Sequence, residues 1–305
     1  MDSKRELIKR SLDSSNGFFY LTDSEAQAVA PSMWDFKLRD YQEKMLVVTP
    51  LAETFDFRGA GKDYKVTIDE APSAAAALVE TTDVSISAFT TRNKTFTPTE
   101  QGAAYQLSRA EAVRAFFNVA DRMTKKLAYS MALRKDNLAT TCIQDGATSN
   151  VFPNSVTAAT DLATTDTLDY ESIVEAKKTI ENLYYVPDVL LINFTQKAQL
   201  LKDTKIHLAD NFGTRSALQN GVIGELFGMT VVASHSITAS NNVAKAVVLG
   251  MTRSGEKAFG YAIKRDPIIE REYHALGRYW DIVGHEEYDF EVLHPDAICT
   301  ISTYA

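Results

Sequence analysis

The spacing of hydrophobic and polar positions changes several times along the chain, and each change marks an element. The first fifty residues show weak periodicity. Met33, Phe36 and Tyr41 can share one face of a short helix within 32–44, so this stretch reads as an arm with local helix. From Lys62 the period becomes two. Tyr64, Val66 and Ile68 alternate with Lys65, Thr67 and Asp69, the pattern of a half-buried strand. A second alternation sets Val84, Ile86 and Ala88 against Ser85 and Ser87 and continues less regularly toward Phe96. Between the two lie Pro72 and the alanine run 74–77. The pattern predicts a two-stranded ribbon with a substantial tip. Such a ribbon is marginal in water by itself. It must fold back on its own domain or lie against another molecule.

The strongest helix follows. Ser108 and Glu111 have capping-box spacing. Ala110, Val113, Phe117, Ala120, Met123, Leu127, Met131 and Leu138 then recur mostly three to four apart, Asp121 and Lys125 form an i,i+4 pair, and Gly146 provides a stop. A continuous helix here would have about 36 residues and measure roughly 54 Å, far beyond the usual length of about three turns. It predicts a spine along an extended subunit; the stripe is not the clean heptad of a coiled coil. The second half alternates elements. An amphipathic helix over 169–185 turns Tyr170, Ile173, Val174, Ile180, Leu183 and Tyr184 inward and ends at Pro187. Strands are expected at 189–193, 229–233, 246–249, 259–263, 268–273, 288–293 and 297–302, with a short helix capped by Thr195 and a long polar loop over 205–221. The order predicts an α+β fold with a mixed sheet covered by helices.

Composition narrows the class. The chain has 305 residues, 45% apolar and 24% charged, as in an ordinary globular protein of one large domain or about two. With 32 basic and 40 acidic residues the net charge is −8, which argues against a general nucleic-acid binder. Cys142 and Cys299 are too few for a disulfide framework or a cysteine-only metal site. The charged start, Met1-Asp2-Ser3-Lys4-Arg5-Glu6, has no apolar stretch behind it and is not a secretory signal. No apolar run approaches the ~20 residues of a membrane span. A reducing cytoplasm is the expected setting.

The search for chemistry returns little. Arg58-Gly59-Ala60-Gly61-Lys62 has the end of a phosphate-loop pattern, but Asp56 and Asp63 stand where that loop needs Gly and Ser or Thr, so a turn into the strand is the better reading. None of His207, His235, His274, His285 and His294 has zinc-ligand spacing. No Gly-x-Ser-x-Gly elbow occurs. His285-Glu286-Glu287 reads as a solvated strand edge, and 224–228 as a turn. Neither catalytic residues, a metal site nor a cofactor is expected.

The order of arm, ribbon, spine helix, mixed-sheet domain and acidic strand-rich tail resembles the major capsid protein of tailed bacteriophages. Ala77-Leu78-Val79-Glu80 resembles the apolar pair and Glu of that family's extended loop. The stretch 220–234 resembles its Gly-rich turn into a strand, 259–266 its next strand and 294–298 its closing strand. The likeness covers about residues 20–303. It implies an N-terminal arm at 1–51, an extended β-hairpin loop at 52–100, a peripheral domain with the spine helix at 101–146, an axial domain at 147–265 and a return to the peripheral domain at 266–305. The function implied is a shell subunit that assembles with itself into hexamers and pentamers around double-stranded DNA, with no membrane. A portal is a further partner, and since the chain starts at Met1 only a few residues before the arm, so is a separate scaffolding protein, or none is needed. A bacterial nanocompartment shell and an α+β enzyme are the other readings.

Charge adds an assembly hypothesis. The loop tip carries Asp69, Glu70, Glu80 and Asp83 without a Lys or Arg. Residues 108–144 carry seven basic groups against three acidic, including Arg122, Lys125, Lys126, Arg134 and Lys135. The tip of one subunit is expected over the spine of the next. Asp210, Asn211 and Arg215 fall on the loop implied to face the capsomer axis. The tail from Asp266 has nine acidic residues and two basic, so tails packed together would repel unless a basic partner or a cation intervened.

Overall fold

The computed structural model describes residues 47–59, 61–69, 90–114, 119–203, 224–237 and 239–304. The helical patch expected at 32–44, the ribbon tip with its strand at 84–88, and the loop 205–221 lie outside the described residues.

The spine comprises α1 (Arg109–Arg114) and α2 (Val119–Asp145). The 27 residues of α2 span roughly 40 Å. Gly146 closes it, its N–H 2.9 Å from the Cys142 carbonyl. The helix buries two successive i,i+4 pairs on its inner side, Leu127 with Met131 and Ala139 with Ile143. Leu127 and Met131 meet Ile282, Ile269 and Ala103 of a four-stranded sheet. That sheet has the order β1-β10-β11-β4, with β1 Glu53–Asp56, β4 Thr99–Ser108, β10 Phe259–His274 and β11 Tyr279–Val292. The strands expected at 259–263 and 268–273 are thus one strand of 16 residues, interrupted by register shifts between Ile263 and Ile268. Pro267 is tolerated in it because β1 pairs only as far as Ile263, which leaves this stretch of β10 as an edge. No local pattern marked β4: its burial does not alternate regularly, and Gly102, Ala103 and Ala104 give no apolar signal.

The ribbon begins as expected, with β2 (Tyr64–Asp69) antiparallel to β3 (Thr91–Phe96) and Tyr64 opposite Phe96. Its support at this end comes from its own subunit. Phe96 is fully buried with Ala262 and Leu293, and Phe55, Tyr64, Val66 and Ile68 pack around them. Lys94 reaches Glu291 at 3.2 Å, and the Thr97 N–H donates to Asp289 at 2.7 Å.

A six-stranded mixed sheet has the order β5-β12-β9-β6-β8-β7, from β5 Ser149–Val151, β6 Val186–Ile192, β7 Glu225–Leu226, β8 Met229–Ala233, β9 Val243–Met251 and β12 Ile298–Tyr304. The run Val189-Leu190-Leu191-Ile192 is apolar throughout because both faces are covered. Leu190 and Ile192 join Ile173, Ala176 and Ile180 of α3 (Tyr170–Asn182) and Leu200 of α4 (Phe194–Lys202). Val189 and Leu191 join Ala139 and Ile143 of the spine and Phe259, Tyr261 and Phe290 of the other sheet. One core therefore runs through both sheets.

Several expectations are corrected. Val174, Leu183 and Tyr184 are exposed, Tyr184 at 80%: Val174 falls outside the buried Ile173, Ala176 and Ile180 stripe of α3, and Leu183 and Tyr184 follow its end at Asn182. Asn193, not Thr195, caps α4: its carboxamide accepts from the Gln196 N–H at 2.6 Å, and Gln196 accepts in return from the Asn193 N–H. Residues 259–265 belong to the four-stranded sheet, whereas the final strand β12 returns to the six-stranded one, where it fills the place between β5 and β9.

Candidate assembly surfaces

Two charged residues of α2 turn inward. Asp136 is completely buried. Its Oδ1 accepts from the backbone N–H groups of Val48 and Thr49 at 2.8 and 2.9 Å, and its Oδ2 accepts from the Ser236 hydroxyl at 2.6 Å. It thereby caps the 3₁₀ turn Thr49–Leu51 and fixes the start of the described chain to the spine. Lys135 places its ammonium 2.6 Å from Glu286 and 5.3 and 5.0 Å from the ring centres of Tyr261 and Tyr288. Burial disfavours that ammonium, but the Glu286 carboxylate and the Tyr261 hydroxyl outweigh it and raise its pKa. Burial likewise pushes the phenols of Tyr261 and Tyr288 up. Lys135 is thus committed within the subunit. Glu286 is only 2% exposed and lies on β11, an inner strand flanked by β10 and β4, so His285-Glu286-Glu287 is not a solvated edge.

Arg122, Lys125 and Lys126 lie on the side of α2 away from Leu127 and Met131, and Arg134 lies on the same side as those two. Lys125 and Arg134 are exposed, and Arg122 and Lys126 are half-buried. Arg134 bonds Gln101 of β4 at 3.4 Å. It borders a cavity of about 190 Å³ between helix and strand, lined also by Gly102, Ala103, Ser130, Met131 and Glu286. Asp121 faces Arg271 at 3.8 Å. Of the tip acids, Asp69 is exposed at the end of β2. Glu70, Glu80 and Asp83, and the loop residues Asp210, Asn211 and Arg215, lie outside the described residues. So does the side chain of Glu111, on which the expected capping box depends.

The acidic tail is balanced from within. Asp266 pairs with Arg58 at 2.7 Å, Glu287 with Lys264 at 2.9 Å and Glu291 with Lys94 at 3.2 Å, in addition to Glu286 with Lys135. Asp281 lies 3.0 Å from the His274 imidazole. Asp289, its carboxyl pushed up by burial, accepts from the N–H groups of Thr97 and Phe290. Among the described residues no group of three or more His, Cys, Asp or Glu is placed to hold a metal ion, and no helix is long and apolar enough to cross a membrane. Burial pushes the thiols of Cys142 and Cys299 up to about 12, the setting of packing groups and not of nucleophiles. The Gly59-Ala60-Gly61 stretch joins β1 to β2, with Arg58 held by Asp56 and Asp266.

Residues 92–300 match the phage capsid protein family, and the chain belongs to that family. Solved structures agree in fold. The chain matches a protein of Mycobacterium phage Che8 with a TM-score of 0.72 and 17% identity, over 90% of this chain and 97% of that one. It matches the capsid of the cyanophage P-SCSP1u with a TM-score of 0.74 and 15% identity, over 92% and 95%. It matches the mature capsid of bacteriophage PhiM1 with a TM-score of 0.69 and 10% identity, over 96% and 97%. No curated protein sequence matches the chain. The fold is the tailed-phage major capsid fold, and the protein is a structural component of a phage capsid shell.

Proposed function

We propose that this subunit assembles with copies of itself into hexamers and pentamers that close an icosahedral shell around double-stranded DNA. The two-sided spine carries the reading. Leu127 and Met131 fix one side of α2 to its own sheet, with Arg134 bonded to β4 beside them, while Lys125 remains exposed on the other. In this reading the acidic loop tip (Asp69, Glu70, Glu80 and Asp83) of one subunit lies over Arg122, Lys125, Lys126 and Arg134 of the next. Each exposed pair contributes only about 0–1 kcal/mol, but a lattice repeats it in every subunit. The loop carrying Asp210, Asn211 and Arg215 faces the capsomer axis. A portal and a separate scaffolding protein are the further partners, assembly takes place in the host cytoplasm, and the subunit has no enzymatic role. The net charge of −8 suits a container that encloses DNA without reading its sequence.

Negative-stain microscopy of the purified protein tests both levels. Closed shells are expected from the wild type at low salt, with fewer or slower-forming shells from the double variant Lys125→Glu, Lys126→Glu. Adding Glu80→Lys and Asp83→Lys should restore them. Equal assembly of the wild type and the double variant would remove the tip-on-spine contact. A wild type that yields only small oligomers, or small particles filled with cargo enzymes, would overturn the DNA-shell reading.

A further inference from the structure

The polypeptide crosses from the four-stranded to the six-stranded sheet at Leu293 and His294, directly after β11. His294 is 6% exposed. Its N–H and that of Leu293 both donate to the Ala258 carbonyl, at 2.9 and 3.0 Å, which fixes the crossing to the start of β10. The ring faces Tyr185 at 5.8 Å and places Nε2 3.6 Å from Glu256, a carboxylate still 56% exposed. The ribbon arrives at the same point. Arg92 of β3 donates through Nη2 to the Leu293 carbonyl at 3.2 Å, and its Nε is buried with no partner among the described residues.

We propose that His294 and Arg92 form an acid-sensitive latch that holds the base of the ribbon to the body of the subunit. Charged and titratable groups approach the imidazole from every packed element: Glu256 from the β9–β10 turn, Glu53 from β1, Arg92 from β3 and Tyr185 from the entry to β6, whose phenol in turn feels Asp296. Burial is the largest influence and lowers the imidazole pKa. Arg92 lowers it too, against Glu256 and Glu53, and the net shift is downward. A group whose folded pKa is depressed supports the folded arrangement above its unfolded value, here about 6.5. That support is lost as the pH falls from there toward the folded value. Acid then forces a second cation into the space beside the Arg92 guanidinium. His294 is held by its backbone and by burial, whereas the Arg92 head holds one neutral carbonyl, so Arg92 is the group that yields. Phe96 and the Lys94–Glu291 pair keep the root of the ribbon in place. Release is therefore confined to Thr91–Asn93 and their partners Thr67–Asp69.

Hydrogen exchange on the unassembled full-length chain, corrected for the intrinsic effect of pH, tests this without involving the shell. Between about pH 7.5 and pH 5, protection at 67–69 and 91–93 should fall about tenfold. His294→Gln, uncharged at both values, should stay protected at both, and Arg92→Gln should be unprotected at both. His274→Gln, at the far end of the β10–β11 hairpin, should respond as the wild type does. An acid response persisting in His294→Gln would overturn the latch. Should that variant not fold, an NMR titration of the His294 ring decides the matter. Its pKa should rise in Arg92→Gln, and an unchanged value would overturn the proposal.

Discussion

Glu286 is a carboxylate with a side chain only 3% exposed, which would be costly to bury without its partner Lys135 at 2.6 Å. Removing one member of such a pair leaves an uncompensated buried charge and costs about 3–5 kcal/mol, whereas replacing both with apolar groups costs much less. Glu286→Gln and Lys135→Met are each expected to lower the stability of the unassembled subunit by about that amount in urea denaturation, and Lys135→Met with Glu286→Leu by clearly less. Single variants as stable as the wild type would show that the pair contributes nothing. Neither partner announced itself in the sequence. Lys135 sits in a run of basic residues, and Glu286 sits in a polar triplet that reads as an exposed edge. What buries Glu286 is the pairing of β11 with β4 on one side and β10 on the other, a long-range fact with no local signature. Asp136 was more accessible to reasoning. It lies three residues before Ala139 and seven before Ile143, inside the apolar stripe of the helix. An acid in that position asks for buried donors, and Val48, Thr49 and Ser236 supply them.

Among the elements, those with a steady period were legible: β2 from its alternation, α2 from its three-to-four spacing, β6 and β9 from unbroken apolar runs. Strands stabilised by partners instead of by pattern were not. β4 is recognisable only once β11 is beside it, and the two pieces of β10 become one strand because β11 continues opposite both. The contact between α2 and β11 explains one residue choice. A Cβ on Gly284 would lie 2.5 Å from Met131 Sδ and 3.1 Å from Leu127 Cδ2, so the glycine permits the close approach of the helix to the sheet. Overpacking of this kind typically costs about 1–3 kcal/mol. Gly284→Ala should destabilise the unassembled subunit within that range, and Met131→Ala in the same chain should recover part of the loss, since contacting sites are not additive. Additive effects in a double-mutant cycle would show that the collision is relieved elsewhere.

For the molecule as a whole, charge segregation along the chain has a different meaning once the chain is folded. The resemblance to a shell protein was legible from the order of elements, and the surplus of acid after Asp266 was legible as a count. Its resolution was not, because the compensating cations are remote in sequence: Arg58 and Lys94 precede the tail by about two hundred residues, and Lys135 comes from the spine. Four of the nine tail acids are thus paired with a Lys or Arg of their own subunit, so the tail is partly neutralised instead of a bare acidic surface. Glu270, Glu272 and Asp296 are the tail acids for which no partner has been described above, and among the described residues none belongs to a group able to hold a metal ion. With four of the tail acids paired within the subunit, a shell is expected to hold its tails together without a divalent cation. Particles treated with a chelator should keep their diameter and their resistance to heat, as measured by light scattering during a temperature ramp. Raising the salt is the contrasting treatment: at about 1 M the screening length falls to about 3 Å, which weakens exposed contacts between subunits while leaving the buried Lys135–Glu286 pair nearly untouched. Particles that swell or dissociate on chelation at constant ionic strength would show that acids from neighbouring subunits do share a cation.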